Sequence, residues 1–591
     1  MKKVILIMSL VLGGGYLFFS CNKSFLDKQP YGSLDTTVLA SQRGVESVLI
    51  GAYALLDGYQ NSYGIGGFGS GTSNWVFGSV AADDSHKGSD ATDQPDITPI
   101  EKHLQLPTNG YFNTKWQTVY EGVTRANIAL KLLVQATDVS ASDQKRISGE
   151  ARFLRAFYHL EAKKVWNNIP FIDETMTDYK VPNEKILVDN TVDSWPAIEA
   201  DAQYAYDNLP ALQNAVGRAN KWAAGALLGK IRVFRKNWQG ARDVLEDVYN
   251  NGTNPLGLKY GLFTRYQDNF NVDFENGMES VFAYQSSVND GSGASNGNYG
   301  DVLNMPYNGR PFTCCGFNQP SQDLVNAFKT DGTTGLPDPD NYNTNPVTID
   351  AGQAGFTPYA GSLDSRIDWT VGRRGIPYLD WAVHEGTLWQ RDANYSGPYS
   401  PIKNITRRAQ QGTAVDKSFW NSPGGITALN INLIRFADVI LWLAECEVEL
   451  NGDLNLARTY VNMVRARAAN PQSFVYKFVN DADPSQGFSS TPAANYNVGL
   501  YNTAWADQAS ARKAVHFERR LEFAMEGHRF FDLVRWGEAE TTLNKYISYE
   551  KTLRPYLNDA VFSANKNEYF PIPQRQIDLS QGKLKQNQGY N

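Results

Sequence analysis

The sequence predicts a mainly α fold: a tetratricopeptide-like scaffold of paired helices that carries a large, irregular, loop-rich half. Three observations predict it. Apolar residues recur at helical spacing over 35–57, 113–135, 143–166 and 192–208. The stretch 219–252 fits a 34-residue helical-pair repeat. Counted from Trp222, small Gly229 and Ala241 fall at positions eight and twenty, where paired helices must approach closely, and Leu245 and Val248 follow at positions 24 and 27. From about 255 to 430 the helical period fades into Gly, Pro, Asn, Asp and aromatic residues. That run is far longer than an ordinary connection and too aromatic for a disordered linker.

In chain order, Met1-Lys2-Lys3 is a short basic start and Val4 to Phe19 an apolar segment too short for a comfortable membrane span. Together they read as a signal peptide over 1–20. Leu17-Phe18-Phe19-Ser20-Cys21 resembles a lipobox, so Cys21 is the expected acylation site. Acyl chains there would attach the chain to a membrane without a spanning helix. The expected divisions are then 21–254 with helical pairs, 255–430 as the loop-rich ligand-binding region, and 431–591 as a C-terminal helical part packed with the first into one globule.

The first mature helix, within 35–57, shows Val45, Val48, Leu49, Ala52 and Leu56 on one face. After a Gly-rich loop, Asp83, Asp84, His86, Lys87 and Asp90 crowd together. Calcium-loop spacing is missing there. The cluster reads as a turn device, with Asp84, His86 and Lys87 as candidate ligand contacts. On 143–166, Arg152, Arg155 and His159 share a face expected to bind carboxylates and carbonyls of neighbouring helices. Residues 432–470 repeat the helical-pair idea across Asn451-Gly452-Asp453.

In the loop-rich half, Trp369, Tyr378, Trp381, Trp389, Tyr395 and Tyr399 fall close together. Sugars present apolar C–H faces rimmed by hydroxyls, which exposed aromatic plates with polar neighbours match well. Each ring alone is expected to pack loops onto the scaffold; from the set, one or two exposed plates are expected. Tyr307, Arg310, Tyr378 and Trp381 are the candidate contacts. Asn404-Ile-Thr406 fits a glycosylation sequon and is given little weight.

Composition narrows function. The net charge is −7, with no basic block, so nucleic acid is not an expected partner. The four cysteines, Cys21, Cys314, Cys315 and Cys446, form no CxxC pair, and the six histidines show no ligand spacing, so neither a metal nor another cofactor is expected. Adjacent Cys314 and Cys315 are expected as separate thiols. No GxSxG, HExxH or P-loop occurs.

The densest stretch is FERRLEFAMEGHRFFDLVRWG, 517–537. Read as one helix, it stacks Glu518, Glu522 and Glu526 at i, i+4 and i+8, with Arg519, Arg520, Arg529 and Arg535 placed to neutralise them. Glu522 and Glu526 are a conceivable acid and base pair. Arginines this close hold carboxylates ionised, which suits a buried ion-pair network better.

ERRLEFAMEGHRFFDLVRWG resembles the C-terminal signature of the SusD/RagB family, surface lipoproteins that capture nutrients for an outer-membrane transporter. NEYFPIPQRQIDLSQGKLKQNQGYN resembles that family's ending, SFLDKQP its entry into the mature domain, and Asp364-Ser-Arg366-Ile-Asp368 a structural motif of it. The resemblance implies a non-enzymatic, lipid-anchored outer-membrane protein facing the cell exterior, which binds an oligosaccharide or polysaccharide and covers a SusC-like, TonB-dependent β-barrel transporter. Two other readings are weighed: a RagB-like peptide-binding lid of the same kind of transporter, and a glycoside hydrolase, which needs two suitably spaced, titratable carboxylates.

Overall fold

A computed structural model describes residues 39–58, 66–176, 187–308, 312–417 and 425–590. The expected acylation site Cys21, the leader, and Arg310 lie outside the described residues. The expectation of a mainly α scaffold of helical pairs holds.

Among the described residues, nine helices stack in sequence, each packed on the next: α1 (Gln42–Ala54), α2 (Gly110–Gln135), α3 (Ala141–Trp166), α4 (Trp195–Asn208), α5 (Lys221–Phe234), α6 (Trp238–Asn251), α7 (Phe436–Glu449), α8 (Leu454–Ala469) and α9 (Gln508–Phe523). Their starts are set locally. Ser41, Asn109, Ser140, Asn220, Asn237, Asp453 and Asp507 each accept a hydrogen bond from a first-turn N–H, satisfying groups a helix leaves unpaired. The repeat glycine has the reason its position implied: a Cβ at Gly229 would lie 2.4 Å from a Leu245 methyl. One hydrophobic core runs through the stack from Val45 to Leu584. No helix among the described residues is long and apolar enough to cross a membrane.

The 517–537 stretch differs from its expected single helix. α9 ends at Phe523, and α10 (Arg529–Trp536) begins after a turn in which Met525 and Gly527 take φ of +66° and +73°. The turn is wedged against the π-helical turn Trp75–Val80: a Cβ on Gly527 would lie 2.0 Å from the Ser73 carbonyl oxygen, and one on Gly78 would lie 2.0 Å from that of Gly527. The chain continues into α11 (Ala539–Glu550).

Among the described residues, strands occur only as two-stranded antiparallel pairs. Ser85–Gly88 pairs with Phe317–Pro320, and Ser280–Tyr284 with Ile431–Arg435. The second pair delivers Arg435 to the buried end of α9.

There the charges of the signature are neutralised, by partners the sequence does not place. Five acids (Glu279, Asp364, Glu518, Glu522, Glu526) and five bases (Arg366, Lys403, Arg435, Arg465, Arg467) form one connected buried network. The signature's own arginines turn elsewhere: Arg519 to Asp438 and Asp532, Arg520 to Asp83 and Asp323, Arg529 to Asp83, Arg535 to Glu445. Arg155 and Arg152 bind Asp201 of the neighbouring helix, as that face was expected to do, whereas His159 bonds the Arg155 carbonyl of its own helix and accepts from the Ile172 N–H.

Cys314 and Cys315 are joined to each other, which corrects the expectation of separate thiols. Adjacency makes the bond possible, and only the local fold brings the two sulfurs together.

Candidate functional site

Most of the expected contacts are part of the frame. Tyr378, Trp381, Trp389 and Tyr399 are buried, and the first three form a small loop core with Met305, Phe312, Ile402 and Ile405. The Tyr378 hydroxyl donates to the Pro401 carbonyl, and the Trp381 indole N–H donates to that of Thr406 at 3.0 Å. A loop-rich region without long helices must build its own hydrophobic centre, and these rings supply the area for it. They therefore do not serve as exposed plates. Trp369 and Tyr395 are half-buried, Trp369 donating to the Ser473 carbonyl and Tyr395 stacked on Tyr556 at 4.2 Å.

Asp84, His86 and Lys87 are also corrected: each is at most 1% exposed. The Asp84 carboxylate accepts from the Met525 N–H at 3.0 Å, pinning the signature turn. Burial and the neighbouring Asp83 charge push its carboxyl upward. The Lys87 ammonium donates to the carbonyls of Asp90 and Asp93, each at 2.6 Å. His86 bridges Glu101 at 2.9 Å and Glu550 at 3.3 Å.

Burial alone would lower the His86 imidazole, but Glu101 and Glu550 outweigh it and raise the group to about 9. Its charged form is thus favoured by folding, a contribution present below about pH 6.5 and lost as pH rises through about 9. A His86→Gln variant is expected to be less stable than the parent near pH 6. The gap, read from denaturant midpoints, is expected to narrow steadily toward pH 9.5. A gap that stays constant over that range refutes the bridged charge.

Tyr307 is half-buried, with the Arg391 guanidinium 5.0 Å over its ring, and it remains at the surface.

The structure instead assembles a polar cleft that the sequence reading missed. Two adjoining depressions share Asn298, Asp301 and Asn404. The larger holds about 60 Å³ and adds Phe270, Asn304, Lys403, Asn430, Asn432 and Glu526 to its walls. That depth takes a few water-sized groups, such as the hydroxyl edge of a larger molecule lying across the mouth.

Its amides are held rigidly. Asn298 and Asn304 each donate to the Asp301 carboxylate, at 3.2 and 3.1 Å, and Asn404 donates to the Asn304 carbonyl at 2.6 Å. The sequon asparagine is thereby committed to the cleft wall. Burial raises the Asp301 carboxyl. Asn304 is 1% exposed, and its side-chain oxygen has no hydrogen-bond partner. An acceptor so placed is costly unless something donates to it. Lys403 sits 2.7 Å from Glu526 and 4.6 Å over the Phe270 ring, and burial lowers its ammonium to about 8 despite that carboxylate. Tyr299, which follows the lining residue Asn298, is a half-buried ring. The Asp57 carboxylate holds the Tyr299 and Gly300 N–H groups at 2.6 and 2.9 Å.

Asn298, Asn304, Asn404 and Asn430 come from three loop segments, each unremarkable alone, and Asn432 from the strand Ile431–Arg435. Only their crowding in the loop-rich half was a signal, and that half was singled out for its aromatics. The arrangement offers donors, acceptors and an aromatic edge to a hydroxyl-rich ligand. Among the described residues no group of three His, Cys, Asp or Glu gathers to hold a metal.

Comparison with known proteins agrees with this architecture. Residues 278–590 match the family described as the SusD family, and 24–233 match one described as starch-binding, associating with outer membrane. SusD-like protein P25 of Formosa agariphila is 23% identical over 573 residues, 88% of each chain. A SusD superfamily protein from Bacteroides vulgatus superposes with a TM-score of 0.65 at 21% identity, over 93% of this chain and 99% of that one. Surface glycan-binding protein A from Bacteroides thetaiotaomicron, solved in complex with laminarihexaose, gives a TM-score of 0.60 at 19% identity, over 93% and 99%.

Proposed function

The chain belongs to the SusD family, and on that premise we propose that it captures an oligosaccharide at the cell surface and delivers it, chemically unchanged, to a SusC-like TonB-dependent β-barrel transporter. Acyl chains on Cys21 would tether it to the outer membrane, facing the exterior. A relative solved with laminarihexaose supports a glucan as the first ligand to try.

The observation that carries the ligand class is the amide-rich cleft, with the unpartnered Asn304 oxygen in its wall. Hydroxyl groups donate to such an oxygen and accept from the amides around it, and Phe270 gives a C–H face something to lie on. The binding reading is favoured over hydrolysis by the state of the signature carboxylates. Burial would raise Glu522, but Arg467, Arg435 and Arg366 overcome it and hold the carboxyl at about 2. A group so held is a poor proton donor near neutral pH.

Retardation in native gels containing a panel of polysaccharides, laminarin included, tests the reading. The parent is expected to be slowed by at least one glycan. Asn304→Ala is expected to weaken binding about tenfold, through loss of a buried polar contact. Retardation unchanged in that variant removes the cleft from the site. Binding of peptides with no sugar bound, or release of reducing ends by the purified protein, overturns the function.

A further inference from the structure

One face of α9 borders a cleft. Arg512, Lys513, His516, Phe517 and Arg520 follow the helical spacing and line a cleft of about 490 Å³. Thr541, Thr542 and Lys545 of α11 form its opposite wall, and Asp340 and Tyr342 a third side.

Several features of this cleft call for an anion. His516 is 6% exposed, stacked on Trp536 at 3.7 Å, with Nδ1 held 2.9 Å from Glu538, yet its Nε2 has no partner. Arg520 is 3% exposed; its Nη2 reaches Asp83 and Asp323, and its Nε–H is left without an acceptor. Lys545 donates to the Asp340 carbonyl at 2.7 Å and lies 5.5 Å over the Tyr342 ring. Among the described residues it meets no carboxylate at ion-pair distance, whereas Lys513 pairs with Asp340 and Arg512 with Glu449. An unfilled guanidinium N–H is a donor at any ordinary pH, and a buried one is costly. Hydroxyls of Thr541 and Thr542 line the same cleft and suit the hydroxyls of a sugar ring behind the acid group.

We propose that this cleft binds the carboxylate or sulfate of a small acidic sugar. The site is separate from the amide-rich cleft and stands without it.

Calorimetric titration of the purified protein with D-glucuronate, glucose 6-sulfate, inorganic sulfate and D-glucose, at fixed ionic strength, provides the test. Both acidic sugars are expected to bind, sulfate to compete with them, and glucose to give no heat. Lys545→Gln, a change at an exposed side chain that leaves the core intact, is expected to weaken glucuronate about tenfold. His516→Gln is expected to do the same, and Asn304→Ala to leave glucuronate binding unchanged. The proposal is overturned if glucose binds as tightly as glucuronate, if neither acidic sugar binds, if both cleft variants keep parental affinity, or if Asn304→Ala abolishes it.

Discussion

Replacing Glu522 with glutamine is expected to destabilise the protein by about 3–5 kcal/mol, because it leaves a buried charge uncompensated. Glu522 touches Arg366, Arg435 and Arg467, and all four side chains are at most 3% exposed. Glutamine keeps the shape and removes one negative charge from a network of five acids and five bases. The surplus falls among guanidinium groups that cannot shed a proton.

The same bonds predict an acid limb. With its folded pKa depressed from 4.5 to about 2, Glu522 contributes stability that is fully present above about pH 4.5 and lost as pH falls toward 2. Asp83 behaves alike: burial raises it, but Arg520 and Arg529 bring it to about 2. Denaturant midpoints between pH 5 and 2.5 are expected to fall more steeply in the parent than in Glu522→Gln. Equal slopes, or a neutral-pH loss below about 1 kcal/mol, contradict the network as the element that fixes the end of α9.

Gly527→Ala is expected to cost about 3 kcal/mol or more. Two independent penalties combine. Alanine at a φ of +73° pays roughly 1–2 kcal/mol for the left-handed backbone. Its Cβ would also fall 2.0 Å from the Ser73 carbonyl oxygen, a backbone atom that cannot swing aside as a side chain would. Overpacking of this kind costs a further 1–3 kcal/mol. Gly537→Ala is the internal control: its φ is +77°, and nothing lies within 4 Å of the added carbon. Chemical unfolding should show the first penalty alone at 537 and both at 527. Equal losses at the two positions would mean that the turn at 524–528 does not press on the 73–78 backbone.

The two predictions meet at one place. The signature turn carries Glu526 into the ion network, packs Gly527 on the 73–78 backbone and is held by Asp84. Residues far apart in the chain therefore converge where α9 ends, beside the amide-rich cleft that Glu526 helps to line. A fault at either Gly527 or Glu522 is expected to reach ligand binding as well as stability.

Helical pairs were legible because a helix repeats every 3.6 residues, and the small residues needed at close approaches, such as Gly229 and Ala241, are local marks. That the signature carboxylates need cationic partners was legible too, but the arginines beside them in the sequence are not those partners: Glu518, Glu522 and Glu526 meet Arg366, Arg435, Arg465, Arg467 and Lys403. The break at 524–528 was signalled only by Gly527, and a lone glycine within a strongly periodic stretch does not decide between a tolerated helical glycine and a turn.

The candidate site was far less legible. Tyr378 and Trp381 carry the residue types of a sugar platform, yet they are buried against Phe312 and Trp389. A ring exposes or hides its face according to what crosses above it, and those residues lie elsewhere in the chain. Asn298, Asn304, Asn404 and Asn430 have the converse history: plain loop residues until three loops fold together.

By itself, the sequence determined the helical-pair scaffold, the family signature and the need for buried charges to be paired. Each depends on periodicity or on composition within one stretch. Only the tertiary structure decided which arginine meets which carboxylate, which rings are sealed, and where open polar walls remain. Those outcomes depend on distances between residues that are remote along the chain, and a linear pattern holds no record of them.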